Sequence, residues 1–141
     1  VKVLVDTSIW SIAFRRPAGN MLKEEENHLS NLKTLIEELR VVLIGPIKQE
    51  ILSGISDEKQ FSQLRDKLKA FDDLPIISQD YELAAEFYNT CRNKGIQGSH
   101  IDFLICAVAH RNKFLIFTTD QDFAQYSKHI DIKLYSPQRV T

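Results

Sequence analysis

Residues 99–122 read SHIDFLICAVAHRNKFLIFTTDQD, and this stretch decides the fold. From Ile101 to Ala109 nearly every residue is apolar, with Asp102 the exception and Ser99 placed to cap the first turn. A helix that is apolar all round has no face left for water, so it is expected to be central and covered. After Arg111, Asn112 and Lys113, the run Phe114 to Phe117 has the length and composition of a short buried strand. That strand ends in Thr118, Thr119 and two acids, Asp120 and Asp122. A covered helix feeding a short apolar strand is one step of an alternating α/β chain.

Outward from this stretch the alternation continues. Val1 to Val5 reads as a strand, and Ser8 to Phe14 as a short apolar helix that Thr7 or Ser8 can cap. Pro17 and Gly19 mark residues 15–20 as a loop. Leu29, Leu32, Ile36 and Leu39 form a helical stripe. Val41 to Ile44 is a second strand, stopped by Gly45-Pro46. Pro46 suits the first turn of the next helix and Gly54 its end. Phe61, Leu64, Leu68 and Phe71 mark an amphipathic helix, and Leu74 to Ile77 a third strand. Ser78 is placed to cap a helix carrying Ala84, Phe87, Tyr88 and Cys91. A glycine-containing loop, Lys94 to Ser99, leads back to the central helix. Downstream, a short helix follows Asp122, and Ile130 to Tyr135 alternates apolar and polar like an edge strand. No internal repeat or linker divides residues 1–141. The pattern predicts one domain, a three-layer α/β fold with a parallel sheet of about five strands and helices on both faces.

The 141 residues include 18 basic and 19 acidic side chains, a net charge of −1. That balance gives no support to broad, charge-driven nucleic-acid binding, so any such site must be local. Cys91 and Cys106 form no CxxC pair and read as buried free thiols, and the four histidines show no zinc spacing. The longest apolar run, Phe103 to Ala109, is far too short to span a bilayer, and the first residues enter a strand rather than a signal peptide. A cytoplasmic location is expected, with no membrane partner.

In a parallel sheet, strand ends and the helices that follow them share one edge, where open α/β sheets bind ligands. Asp6 follows the first strand, Glu50 lies in the helix after the second, Asp102 opens the central helix, and Asp120 and Asp122 follow the strand after it. Each acid has a plain structural reading: Asp6 as a helix cap, and Ser99 with Asp102, or Thr119 with Asp122, as a capping box. Together they are harder to explain. Glu50 shares a helix face with Ile47, Ile51 and Gly54 and is expected to be buried, and Asp102 partly so. Several buried carboxylates repel one another, and Lys48 and His100, the nearest bases in sequence, cannot neutralise four of them. A divalent cation can, and an all-oxygen set points to Mg²⁺ or Mn²⁺. No GxxxxGK or GxGxxG loop is present, and Ser8 and Ser99 have no evident base.

These segments resemble a known family. Asp6-Thr7-Ser8-Ile9-Trp10 after a first strand is similar to the opening of VapC-type PIN domains. Glu50 after Gly45-Pro46 resembles the family's helical Glu, and Lys94-Gly95-Ile96 with Asp102-Phe103-Leu104-Ile105 its third acidic segment. Thr118-Thr119-Asp120-Gln121-Asp122-Phe123 resembles the fourth. The resemblance implies a five-stranded PIN-like fold, Mg²⁺ or Mn²⁺, and endonucleolytic cleavage of RNA. On this chain it implies Asp6, Glu50, Asp102 and Asp120 as the acidic quartet, with Asp122 sharing or replacing the role of Asp120. Ser8 or Thr118 would orient a ligand or water. It further implies a homodimer and a VapB-type antitoxin whose tail occupies the catalytic groove.

Arg15 and Arg16, or Arg111 and Lys113, are candidates for phosphate contacts, against the alternative of solvated surface charge. Trp10 and Phe14 share a helix face that is either core or an interface. Two alternatives of other classes stand beside the nuclease: a catalytically silent PIN-fold module that binds RNA or a partner, and another Mg²⁺-dependent phosphohydrolase of Toprim-like type, suggested by Asp120-x-Asp122. A receiver-like module wants an acidic pair after the first strand, and Asp6 stands alone there.

Overall fold

A computed structural model describes residues 1–15, 19, 21–71 and 73–139. Four parallel strands lie in the order β2-β1-β3-β4: β1 Val3–Val5, β2 Val41–Val42, β3 Leu115–Phe117 and β4 Lys133–Leu134. Seven helices flank them among the described residues: α1 Thr7–Arg15, α2 Lys23–Glu37, α3 Gly45–Leu52, α4 Glu58–Leu68, α5 Ser78–Asn93, α6 His100–Asn112 and α7 Asp122–Tyr126. The alternating α/β organisation is as expected. Val3, Leu4 and Val5 are each 0 % exposed. Successive strand residues point to opposite faces, so both faces of β1 are covered. Helix α6 is the central helix: Phe103 to Ala109 are all buried, and α6 packs on both α5 and β3.

Three local readings are corrected, and one open alternative, that of Trp10, is resolved. The strand expected at Leu74–Ile77 is a single parallel bridge, Leu43 to Asp73, with the Leu74 N–H reaching the Leu43 carbonyl at 3.0 Å. Backbone groups alternate sides along a strand, so the next pairing here would fall on Gly45, which already belongs to α3; the ladder stops after one bridge, and the sheet has four strands rather than about five. Leu39 is not part of the α2 stripe. It lies beyond the helix at φ 57° and is 84 % exposed, and buried Leu35 takes its place. Ser78 does not cap α5; the Ile77 N–H donates to Asp80 Oδ2 at 3.0 Å. Trp10 is core: its Nε1 donates to the Val5 carbonyl at 3.2 Å, and its ring packs against Phe14 and Phe71. Among the described residues, no helix is long and apolar enough to cross a membrane.

Asp80 is 0 % exposed. Arg111 Nε and Nη2 donate to its two oxygens at 2.5 and 3.0 Å, tying the start of α5 to the end of α6. A buried carboxylate is tolerable only with such a partner, and a bidentate guanidinium is the strongest available. Burial alone would raise the proton affinity of Asp80, but the Arg111 hydrogen bonds and charge outweigh it and the carboxyl is held below its usual range. Arg111→Ala is therefore expected to cost about 2–4 kcal/mol in urea unfolding, because it strands a buried charge. Lys113→Ala should change stability by less than about 0.5 kcal/mol. Equal stability of Arg111→Ala and the wild type would contradict this role.

Candidate functional site

The strand order places the site. The chain leaves β1 toward β2 on one side, whereas β3 lies on the other side and leads on to β4. Reversal of direction between β1 and β3 opens a crevice at their carboxyl ends, the usual ligand position in such sheets. Val5 is paired with Phe117, so Asp6 and Thr118 emerge side by side, and the Asp6 N–H donates to the Phe117 carbonyl at 2.9 Å.

Asp6 is 9 % exposed and is held by hydroxyls. Ser8 Oγ donates to Asp6 Oδ2 at 2.9 Å and Thr118 Oγ1 to the same oxygen at 2.8 Å. The two hydroxyls in turn accept backbone donors: Thr119 N–H reaches Ser8 Oγ and Asp120 N–H reaches Thr118 Oγ1, both at 3.0 Å. The turn after β3 is thus shaped around the Asp6 carboxylate. Asp120 Oδ1 then accepts the Asp122 N–H at 2.9 Å, which starts α7. Thr119 and Asp122 do not form the expected capping pair.

Glu50 and Asp102 face the same crevice. Thr7 Oγ1 donates to Glu50 Oε1 at 3.2 Å. Glu50 is exposed, contrary to the expectation from its helix, because it stands beside rather than within the buried stripe of Ile47 and Ile51. Partial desolvation still raises its proton affinity, and the charges of Asp6 and Asp102 add to this. Asp102 is half-buried, as expected, and is raised by desolvation and by the charges of Asp120 and Asp6. Ser99 Oγ accepts the Asp102 N–H at 3.1 Å, so the capping half of the structural reading holds. The Asp102 side chain is committed elsewhere: Tyr126 donates its phenol to Oδ2 at 2.8 Å. Asp6 and Asp102 thus act on Glu50, and Asp120 and Asp6 act on Asp102, which is the signature of a shared site.

Among the described residues, no Lys or Arg forms an ion pair with Asp6, Asp102 or Asp120. Nor are three or more His, Cys, Asp and Glu side chains gathered closely enough there to hold a metal ion. The donor chemistry fits a hard cation: oxygen ligands only, and mutually repelling. The carboxylates are meanwhile turned toward hydroxyls. Residues expected to touch phosphates are not brought here. Arg111 and Lys113 lie at the far end of α6, about 13 Å along its axis from Asp102, and Arg111 is engaged by Asp80. Arg16 and the Arg15 side chain lie outside the described residues. Sequence reasoning read Thr7 only as a helix cap and missed Tyr126. The i, i+3 spacing of Phe123 and Tyr126 marks both as core, but nothing in one sequence shows where a phenol points.

Comparison with known proteins agrees with this geometry. The PIN domain model matches residues 3–129. The chain is 32% identical over 123 residues to ribonuclease VapC11 of Mycobacterium tuberculosis, covering 86% of this chain and 88% of that protein, and equally to a VapC ribonuclease of Mycobacterium bovis. The fold is similar to FitAcB from Neisseria gonorrhoeae, with a TM-score of 0.74, 20% identity and coverage of 96% and 97% of the two chains. It is also similar to VapBC2 from Rickettsia felis, solved with a DNA fragment from its promoter, with a TM-score of 0.75, 16% identity and coverage of 96% and 98%. With nearly the whole chain matched, from β1 through the α7 region, the protein belongs to the PIN-domain family and groups within it with the VapC ribonucleases.

Proposed function

We propose that this chain is an Mg²⁺- or Mn²⁺-dependent endoribonuclease, the toxin of a toxin–antitoxin pair whose partner is a VapB-type antitoxin. The observation that carries it is Asp6, a buried carboxylate at the switch point, fixed by two hydroxyls and surrounded by three further acids. The relatives named ribonucleases supply the substrate class. Neighbours solved as VapBC complexes supply the partner class. Residues 1–141 acting as one domain, a homodimeric state and a cytoplasmic location belong to the same reading.

Asp6, Asp102 and Asp120 would hold the cation, with Glu50 across the crevice. Asp122 is the lesser candidate, because Asp120 rather than Asp122 is tied to Thr118 and acts on Asp102. A divalent cation bound there supplies Lewis-acid stabilisation of a phosphoryl oxygen and makes water more acidic. Ser8 and Thr118 orient Asp6. Glu50, with its raised proton affinity, is suited to accept a proton from an attacking water. Near-neutral net charge suits a selective RNA target.

Two outcomes test this. Purified protein incubated with total cellular RNA and Mg²⁺ or Mn²⁺ should give discrete fragments, and EDTA or Asp6→Asn should reduce cleavage to background. Full activity of Asp6→Asn would remove the assignment, and intact RNA in every lane would favour the non-cutting alternative. The second concerns charge. Asp102 has a raised folded-state pKa, so its stabilising contribution is present below the unfolded carboxyl value of about 4 and is lost as pH rises through the higher folded value. In EDTA near neutral pH, Asp102→Asn should melt a few degrees above the wild type, and the gap should close as pH falls to about 4. A lower melting temperature for the variant at every pH would contradict the electrostatic account.

A further inference from the structure

We infer that Tyr126 is the positioning residue for Asp102, and that Gly98 is glycine to leave room for its phenol. The inference rests on the reading of Asp102 as a metal ligand given above. Tyr126 is 0 % exposed, enclosed by Phe103 at 4.7 Å and Phe123 at 5.3 Å between ring centroids. In such a place Phe would pack as well, and a buried hydroxyl is costly unless it is bonded. Its partner is Asp102 Oδ2, 24 residues earlier in the chain. In that bond the phenol is the donor and the carboxylate oxygen accepts. One bond from a rigid ring fixes the carboxylate plane of Asp102, whose own position is set by the first turn of α6.

Gly98 supplies the independent observation. Its backbone is not in the left-handed region, so conformation does not demand glycine. Space does. A Cβ at Gly98 would collide with the Tyr126 hydroxyl and would stand 2.8 Å from both Tyr126 Cζ and Phe103 Cε2. The atom that a side chain here would displace is the one that holds Asp102. The loop before α6 and the helix after β3 are thereby fitted to each other at the point where a carboxylate must be aimed. Groups that orient metal-binding carboxylates from behind are worth about ten- to a hundredfold in metal affinity.

The test uses the full chain with Mn²⁺ as the probe. Mn²⁺ affinity is read by calorimetry in the wild type, Tyr126→Phe, Gly98→Ala, the double variant and Asp102→Asn, with melting in EDTA as the fold control. Tyr126→Phe should keep its melting temperature and bind Mn²⁺ about tenfold more weakly. Its RNA cleavage should need correspondingly more Mn²⁺ and recover at saturation. Gly98→Ala should weaken binding as well, and the double variant should lose no more than the weaker-binding single one, because both act on the same bond. Wild-type Mn²⁺ affinity in Tyr126→Phe, with binding lost in Asp102→Asn, would overturn the positioning role and leave the metal site standing. Wild-type affinity in Asp102→Asn, or no Mn²⁺ binding by the wild type, would overturn the metal reading and this inference together.

Discussion

A carboxylate is held by hydroxyl donors at the end of the most buried strand of the molecule, and the local architecture follows from that. Asp6 sits where β1 stops, with no Lys or Arg paired to it among the described residues. Two hydroxyls, one from α1 and one from the turn after β3, donate to a single oxygen. Each hydroxyl then takes a backbone N–H from that turn. The network is closed, so the turn cannot move without exposing a donor or stranding a charge. Asp120 is placed by the same bonds that satisfy Asp6.

The wider fold brings the remaining acids to this point from separate segments of the chain. Parallel pairing of β1 and β3 aligns Asp6 with Thr118. Central α6 delivers Asp102 from its first turn, and α3 delivers Glu50 at the rim. Repulsion among these groups is visible in the raised proton affinities of Glu50 and Asp102. A fold that only needed stability would not converge acids in this way, since like charges brought together destabilise it. The strong ion pair of Asp80 with Arg111 lies at the other end of α6, where it holds two helices together and leaves the crevice acidic.

Much of this was legible from residue order. Alternation of apolar runs and amphipathic stripes gives the parallel α/β sheet, and strand-end acids mark the working edge before any coordinate is known. Errors arise where one residue outweighs a pattern. The turn into α3 at Gly45 ends the ladder that apolar residues 74–77 would extend, and Leu39 continues a helical spacing past the point where the backbone has turned. Glu50 shows that sharing a helix face with buried residues places a side chain near the boundary, not inside it. Arg111 looks like a surface cation until Asp80, 31 residues away, is seen to claim it. Tyr126 and Gly98 belong to the same class. Their meaning lies in a contact between segments, and no periodicity encodes it.

The central claim is that these four carboxylates form one cation site at the β1–β3 crevice. Crystals grown with Mn²⁺, and the anomalous difference map calculated from them, test it most directly. The account predicts a strong peak bounded by the carboxylates of Asp6, Asp102 and Asp120, with Glu50 facing it. A well-ordered crevice without such a peak, in crystals that bind Mn²⁺ elsewhere on the chain, would contradict it.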